Sequence, residues 1–315
     1  MRTTVITLTF RRPLDLSEAL PSLVRHIAAV PGAELLVVDN DTTPSARDAV
    51  APWTVEHPVR YVHEPRPGIA AARNRGLAEA ADSDVVVFID DDERPRDGWL
   101  AALLSTYERE RATGVAGAVV SVYDAPPDAW ISAGRFFDRL RHPTGTELEV
   151  VATNNLLLDV SVLRGWGLQL DEAFGLTGGS DTVLSLEIRA RGGRLVWCDE
   201  AVVEDVVPAA RATRSWVLRR AFRMGNTGSR ARIHVASGSR ARAAVRITMA
   251  ARGLARVAGG AAAAAWGAVS GSLARRARGV RTMVRGAGMT LGAFGYVYAE
   301  YARPAPAPDP VAAHD

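Results

Sequence analysis

The sequence predicts an α/β protein: a mostly parallel central sheet flanked by helices, followed by a helical C-terminal extension. Three observations carry this. Over residues 1–120, short β-branched runs alternate with helix-period stretches, as in a parallel sheet covered on both faces. Several runs end in carboxylates, at the C-terminal strand ends where such sheets receive ligands. From about residue 228 the composition turns to Ala, Gly and Arg.

The elements follow in order. Thr3–Phe10 (TTVITLTF) reads as a strand, and Leu14–Val30 as a helix stopped by Pro31–Gly32. Glu34–Asp39 and Val59–His63 are the second and third strands. A helix over Ile69–Ala81 is opened by Pro67–Gly68, and Asp84–Asp90 (DVVVFID) is a fourth strand, apolar up to its carboxylates. Trp99–Thr113 is the next helix. Residues 115–175 read as irregular, with Pro126–Pro127 and Pro143, apart from a strand-like stretch over Val150–Leu158. Gly178–Gly179 leads into a helix over Thr182–Arg191, with Ser180 as the expected N-cap. Leu195–Cys198 reads as a short strand, Ser215–Arg223 as a basic helix, and Pro304–Pro310 (PAPAPDP) as a disordered tail.

With 315 residues, 48% apolar and 23% charged, the chain is neither disordered nor a polytopic membrane protein. The lone Cys198 excludes a disulfide framework and any cysteine-based metal site, and it fits a reducing compartment. No secretory signal opens the chain. The net charge of +3 hides a segregation. Residues 1–205 carry 20 Arg against 32 acids; residues 206–303 carry 18 Arg against Glu300 alone. An acidic body able to hold cations is thus joined to a basic part suited to an anionic partner. Residues 257–274 are uncharged but too poor in large apolar side chains to read as a spanning helix. Arg242, Arg246, Arg252 and Arg256 fall within an arc of roughly 120°. That suits a helix lying on anionic lipid, or equally a solvated face of a helix packed on the main domain.

The chemistry concentrates at strand ends. Asp90–Asp91–Asp92 follow the buried run DVVVFI. Close carboxylates repel by roughly 1 kcal/mol or more per pair at an effective dielectric near 20, and a divalent cation relieves this. Oxygen-only ligands suit Mg²⁺ or Mn²⁺; the plain alternative is an acidic turn before the next helix. Asp39 can accept from a base or ribose, or can merely initiate the Asn40–Asp41 turn. Arg73 and Asn74, early in their helix, form a candidate diphosphate site, although a lone Arg is more often only exposed. Phe10 can stack on a base or sit in the core. Asp181 on its Gly-rich turn is a candidate general base, or a first-turn acid serving the helix dipole. No GxGxxG, GxxxxGK[ST], HExxH or GxSxG motif occurs, so a dinucleotide fold, a P-loop, a zincin and a nucleophile elbow are unsupported. Sparse aromatics in the Arg-rich part argue against nucleic acid.

These segments together resemble the family 2 glycosyltransferases of the GT-A fold, which has a Rossmann-like sheet. The likeness runs in order over residues 3–228: VITLTFRRP, LLVVDND, PGIAAARNRGL, VVVFIDDDERPRDGWL with its DXD-type metal motif, NNLLLDVSVL, LDEAFGLTGGSDTVLSLEIRARGGRLVW, and AVVEDVVPAARATRSWVLRRAFRMGNT. The resemblance implies a nucleotide-binding half (1–120), an acceptor half (121–228) and a helical extension (229–303). It implies that Thr9, Phe10, Asp39, Arg73, Asp90 and Asp91 face the nucleotide-sugar. Asp92, with Asp90 and more weakly Glu204, would hold Mg²⁺ or Mn²⁺. Asp181 would be the catalytic base, with Asn154, Asn155, Gly179 and Ser180 on the acceptor side. Ser180 departs from the family's usual acidic residue. The implied activity is inverting, metal-dependent transfer from a nucleoside diphosphate-sugar, with uracil the commonest base, to a glycan or lipid-linked acceptor in surface polysaccharide synthesis. The expected location is the cytoplasm, peripherally at the inner face of the plasma membrane. The alternatives are a non-catalytic sugar-nucleotide or partner-binding protein on the same fold, and a metal-dependent phosphohydrolase or nucleotidyltransferase.

Overall fold

Residues 1–139 and 141–298 are described by the computed structural model; the expected tail at 304–315 lies outside them. Strands β1 (Thr3–Thr9), β2 (Ala33–Asp39), β3 (Val59–His63), β4 (Val85–Asp90), β5 (Glu93–Pro95), β6 (Gly114–Tyr123), β7 (Leu156–Asp159) and β8 (Leu195–Val207) form one sheet. Its order is β3-β2-β1-β4-β7-β6-β8-β5. The run β3-β2-β1-β4 is parallel, as is β6 with β8. β7 runs antiparallel to β4 and β6, and β5 antiparallel to β8.

Alternation of side chains divides the core in two. Val5, Leu35, Val37, Val85 and Val87 point to one face, where α1 (Pro13–Ala28), α2 (Arg47–Glu56) and α4 (Trp99–Glu110) cover them. Ile6, Leu36, Val38, Val86 and Phe88 point to the other, under α3 (Ile69–Glu79), α6 (Val160–Gly165) and α7 (Ser180–Ala190). Strands buried on both faces need continuous apolar runs, which is why β1, β2 and β4 were legible.

Two readings change. The stretch expected to be irregular contains β6, ten residues at the centre of the sheet, and α5 (Ala129–Gly134). The strand expected over Val150–Leu158 shrinks to β7, because Asn155 turns the chain just before it with φ +62°. The buried Asn155 amide donates to the carbonyls of Ala118 and Ala201 and accepts from Trp99 Nε1 at 2.7 Å.

The extension consists of helices. α8 (Arg214–Val235) runs unbroken across residue 228, so the boundary expected there falls inside a helix. α9 (Ser239–Val269) and α10 (Leu273–Ala293) form a hairpin. Glycines set its close approach: a Cβ on Gly260 would lie 2.4 Å from Met283 N, and one on Gly286 2.6 Å from Gly253 O. Among the described residues no helix is long and apolar enough to cross a membrane.

Candidate active site

β1 and β4 are neighbours, and their C-terminal ends bring Thr9 beside Asp91. Asp90 closes β4 half-buried, and Asp91 is buried in the turn that follows. Burial pushes the Asp90 carboxyl up to about 6; Arg73 opposes this, while Asp92 and Asp205 add repulsion. Burial pushes Asp91 up to about 7, against the nearby Thr9 hydroxyl and the charge of Arg12. Glu93, buried, rises well above the usual carboxylate range through burial and the nearness of Asp90. Its Oε2 accepts from Asp90 N at 3.2 Å and its Oε1 from Asn154 Nδ2 at 2.7 Å. Glu93 also stands directly opposite Asp205 in the β5–β8 register. Like charges so placed are destabilising without a counter-charge.

Arginines ring this nest. Asp92 pairs with Arg12 at 3.1 Å and with Arg211 at 3.2 Å, and Asp205 pairs with Arg139. Arg73 is buried on α3 with Nε lacking a hydrogen-bond partner among the described residues. Arg220, from α8, lies over the rings of Trp216 and Phe137 at 5.4 and 5.9 Å. Burial and its neighbours Arg139, Arg223 and Arg211 bring the Arg220 guanidinium down to about 10. A guanidinium so crowded favours an incoming anion.

Asp181 is the second residue of α7 and half-buried, with Oδ1 accepting from Thr182 N at 2.7 Å. Ser180 is not the cap. The N-cap is Gly179 at φ +106°, and Ser180 begins the helix with a buried Oγ that has no hydrogen-bond partner among the described residues. A Cβ on Gly179 would lie 2.2 Å from Thr227 Cγ2 of α8. At 100° per residue Trp216, Arg220, Arg223 and Thr227 fall on one face of α8, within about 60°. That face links the arginine-ringed carboxylates to the turn carrying Asp181. Arg220 and Thr227 are separated by about 10 Å of helix rise.

Other expected site residues lie elsewhere or are engaged. Asp39 is fully buried; Oδ2 accepts from Ala46 N and from Tyr61 Oη, both at 2.8 Å, and Oδ1 from Asp41 N at 3.2 Å, bracing the β2–α2 loop. Phe10 is 38% exposed, with the Arg11 guanidinium 5.2 Å from its ring centroid. Asn74 is tied in both directions to the Leu170 backbone at 2.9 Å. Asn155 is the buried clamp of β6–β8. Glu204 pairs with Arg96 at 2.7 Å, whereas its neighbour Asp205 is the side chain that acts on Asp90. Glu93, Asp205, Arg12, Arg139, Arg211 and Arg220 were missed. Only strand pairing and the packing of α8 bring them together, and neither is written in local sequence.

An α/β sheet that gathers acids and guanidiniums at the tips of β1 and β4 defines the class, a glycosyltransferase of the GT-A fold. Residues 4–166 match the family model described as Glycosyl transferase family 2, and the chain belongs to that family. Succinoglycan biosynthesis protein ExoM of Rhizobium meliloti (strain 1021) is 34% identical over 235 residues, 74% of this chain and 75% of that one. Pre-mycofactocin glycosyltransferase of Mycobacterium tuberculosis is 29% identical over 215 residues, 65% of this chain and 43% of that one. Among solved structures, GalNAc-T7 with UDP, GalNAc and Mn²⁺ superposes with a TM-score of 0.55 at 13% identity. It covers 74% of this chain, which spans about half (47%) of that one. S. aureus TarS superposes at 0.52 and 14% identity, covering 78% of this chain and 42% of its own. These structural likenesses concern the fold.

Among the described residues no three His, Cys, Asp or Glu side chains converge as a ready metal site. The donor chemistry nevertheless fits a hard divalent ion. The carboxylates are oxygen-only and crowded, and Mg²⁺-type sites need only one or two of them beside substrate phosphates.

Proposed function

We propose that this enzyme transfers a sugar, with inversion, from a UDP-sugar to a hydroxyl of a glycan or lipid-linked acceptor in surface polysaccharide synthesis. The observation that carries this is the nest at the end of β4, where Asp90, Asp91, Glu93 and Asp205 crowd inside a ring of arginines. UDP in TarS and GalNAc-T7 crystals, and Mn²⁺ in the latter, support a nucleotide donor and a divalent ion by analogy of fold.

In this reading Phe10 and the loop braced by Asp39 face the base. Asp90 and Asp91 lie toward the ribose, and Asp92 with Asp90 holds Mg²⁺ or Mn²⁺; Glu204, bound by Arg96, contributes less. When bound, such an ion neutralises charge gathering on the leaving diphosphate. Arg73, Arg211 and Arg220 add fixed positive charge to the same group. The acceptor lies along α8, with Asn154, Gly179 and Ser180 near it. Asp181 takes the acceptor hydroxyl's proton as that oxygen attacks the anomeric carbon and UDP departs, so one C–O bond forms as another breaks. The basic C-terminal region places the enzyme against an anionic membrane surface on the cytoplasmic side.

The test pairs donor binding with product analysis. Wild-type protein with Mn²⁺, a panel of UDP-sugars and acceptor should release UDP as sugar is transferred. Asp92→Ala should weaken Mn²⁺-dependent UDP binding by at least about tenfold, a loss of about 1.4 kcal/mol. Release of phosphate with the sugar retained, or unchanged UDP affinity in Asp92→Ala, overturns this reading.

A further inference from the structure

Packing of the C-terminal hairpin leaves one long surface unaccounted for. α9 buries Met249, Gly253, Gly260 and Gly267, which at 100° per residue occupy an arc of about 40°. Gly253, Gly260 and Gly267 each come within van der Waals distance of α10. Roughly half a turn away Ile247, Leu254, Ala258, Ala265 and Val269 share an arc of about 60° along most of a helix about 46 Å long. Ile247, Leu254 and Val269 are 70%, 58% and 81% exposed, and Trp266, on the flank about 60° beyond the stripe's edge, 59%. The arginine arc expected to meet lipid is not outermost: Arg242 and Arg256 point to the side of the packed seam. Arg246 and Arg252 lie about 80–100° beyond the edges of the apolar stripe, nearer the seam, whereas Arg240, exposed in the first turn, falls on the stripe's own arc.

An exposed apolar stripe, with large side chains at Ile247, Leu254 and Val269 and alanine between them, marks an interaction surface. Its occupant follows from charge. Residues 206–303 carry 18 Arg against one acid. A second copy would bring the same excess of positive charge to the stripe, whereas anionic lipid brings the complement. We propose that α9 lies flat on an anionic bilayer surface, its Ile247–Leu254–Val269 stripe set into the headgroup–acyl boundary and Arg240, at the stripe's N-terminal end, at headgroup level. This is the architecture of an interfacial helix, with an apolar face inserted shallowly and cations beside it. The inference deepens the membrane reading given above and is independent of the reaction.

The experiment is vesicle flotation of the full chain, with transfer to a soluble acceptor measured in parallel. Wild-type protein should float with vesicles containing phosphatidylglycerol, and at least about tenfold less with phosphatidylcholine alone. Ile247→Glu/Leu254→Glu should lower partitioning onto phosphatidylglycerol vesicles at least about tenfold, since each carboxylate must be desolvated to insert. Helical content and soluble transfer should stay unchanged. Brominated lipids should quench Trp266, read as the difference between wild type and Trp266→Phe, which keeps the test independent of the double variant. Wild-type protein that does not float, or a double variant that floats equally, overturns the proposal. So does a wild-type dimer that ignores vesicles and dissociates in the double variant, which assigns the stripe to a second copy. Loss of soluble transfer with flotation intact counts against the proposed reaction alone.

Discussion

Asp181 and Gly179 divide one turn between chemistry and geometry. Asp181→Asn keeps the side chain's size and its hydrogen bond from Thr182 N but cannot take a proton. Transfer should fall by about 10²–10⁴-fold, the usual contribution of a positioned base, while UDP affinity holds. Steady-state kinetics beside UDP titration checks this, and comparable turnover removes Asp181 from the role. Gly179→Ala acts through the backbone. Its φ of +106° is strained for any other residue, and its Cβ would meet Thr227 Cγ2. A loss of about 2–4 kcal/mol is expected in denaturant unfolding. Thr227→Ser removes the obstructing methyl, so in the double variant it should return the packing part of that loss and leave the strain. Gly179 could be read from sequence as a turn residue. Its contact with Thr227, forty-eight positions on, could not.

At the scale of elements, legibility followed burial. β1, β2 and β4 announced themselves because both their faces are covered, so each is a short apolar run with a polar end, whereas the edge strand β3 (VRYVH) is half-buried and alternates. β6 was hidden because its Gly and Ala residues, needed where Asn155 and Leu195 press on the strand, weaken the β signal. β5 is three residues long and exists only through its pairing with β8. The carboxylate trio was legible as a motif; its electrostatics was not, since Glu93 and Asp205 become neighbours only across that pairing. The β7–α6 junction shows a local device at work. Asp159 caps α6 through Val162 N at 2.9 Å and accepts from Tyr107 Oη at 2.6 Å and Ser161 Oγ at 2.7 Å. Burial raises its carboxyl, but these hydrogen bonds outweigh that and hold it below the ordinary range. A depressed folded pKa contributes stability above the unfolded value, about 3.9, that is lost as pH falls through the folded one. Asp159→Asn, whose single neutral amide oxygen accepts more weakly than the carboxylate, should therefore cost about 1 kcal/mol at pH 7. The gap from wild type should close below about pH 4, measured by urea unfolding across pH. A gap that persists undiminished at pH 3 rules out the carboxylate as its source.

For the whole molecule, the question is what the C-terminal hairpin does for the catalytic body. α10 sits in the groove of α8 and reaches the cluster of Trp130, Phe137 and Val217 through the buried Ala277. The helices approach so closely that a Cβ on Gly288 would stand 2.0 Å from Phe222 O, and one on Gly225 2.1 Å from Arg285 O. α8 is thus clamped from behind, and its other face carries Arg220 toward Asp205 and Thr227 against the Gly179 turn. An extension that served only as an anchor could be loosened without touching the reaction; one that braces α8 could not. Gly288→Ala, remote from every group placed at the site, should force α10 away from α8 and cost about 2–4 kcal/mol, lowering Tm by roughly 3–6 °C. Below that transition the variant should still bind UDP with Mn²⁺, weakened only by the share that Arg220 of α8 contributes, because the Asp90–Asp92 turn at the end of β4 is not packed on α10. Its kcat/KM for acceptor should fall several-fold, because the proposed reaction places the acceptor along α8. Leu254→Ala on the outer face of α9 should alter neither quantity. Equal kinetics for Gly288→Ala and wild type, with the Tm shift present, would show the hairpin to be a passenger of the reaction and confine its role to the surface that α9 presents.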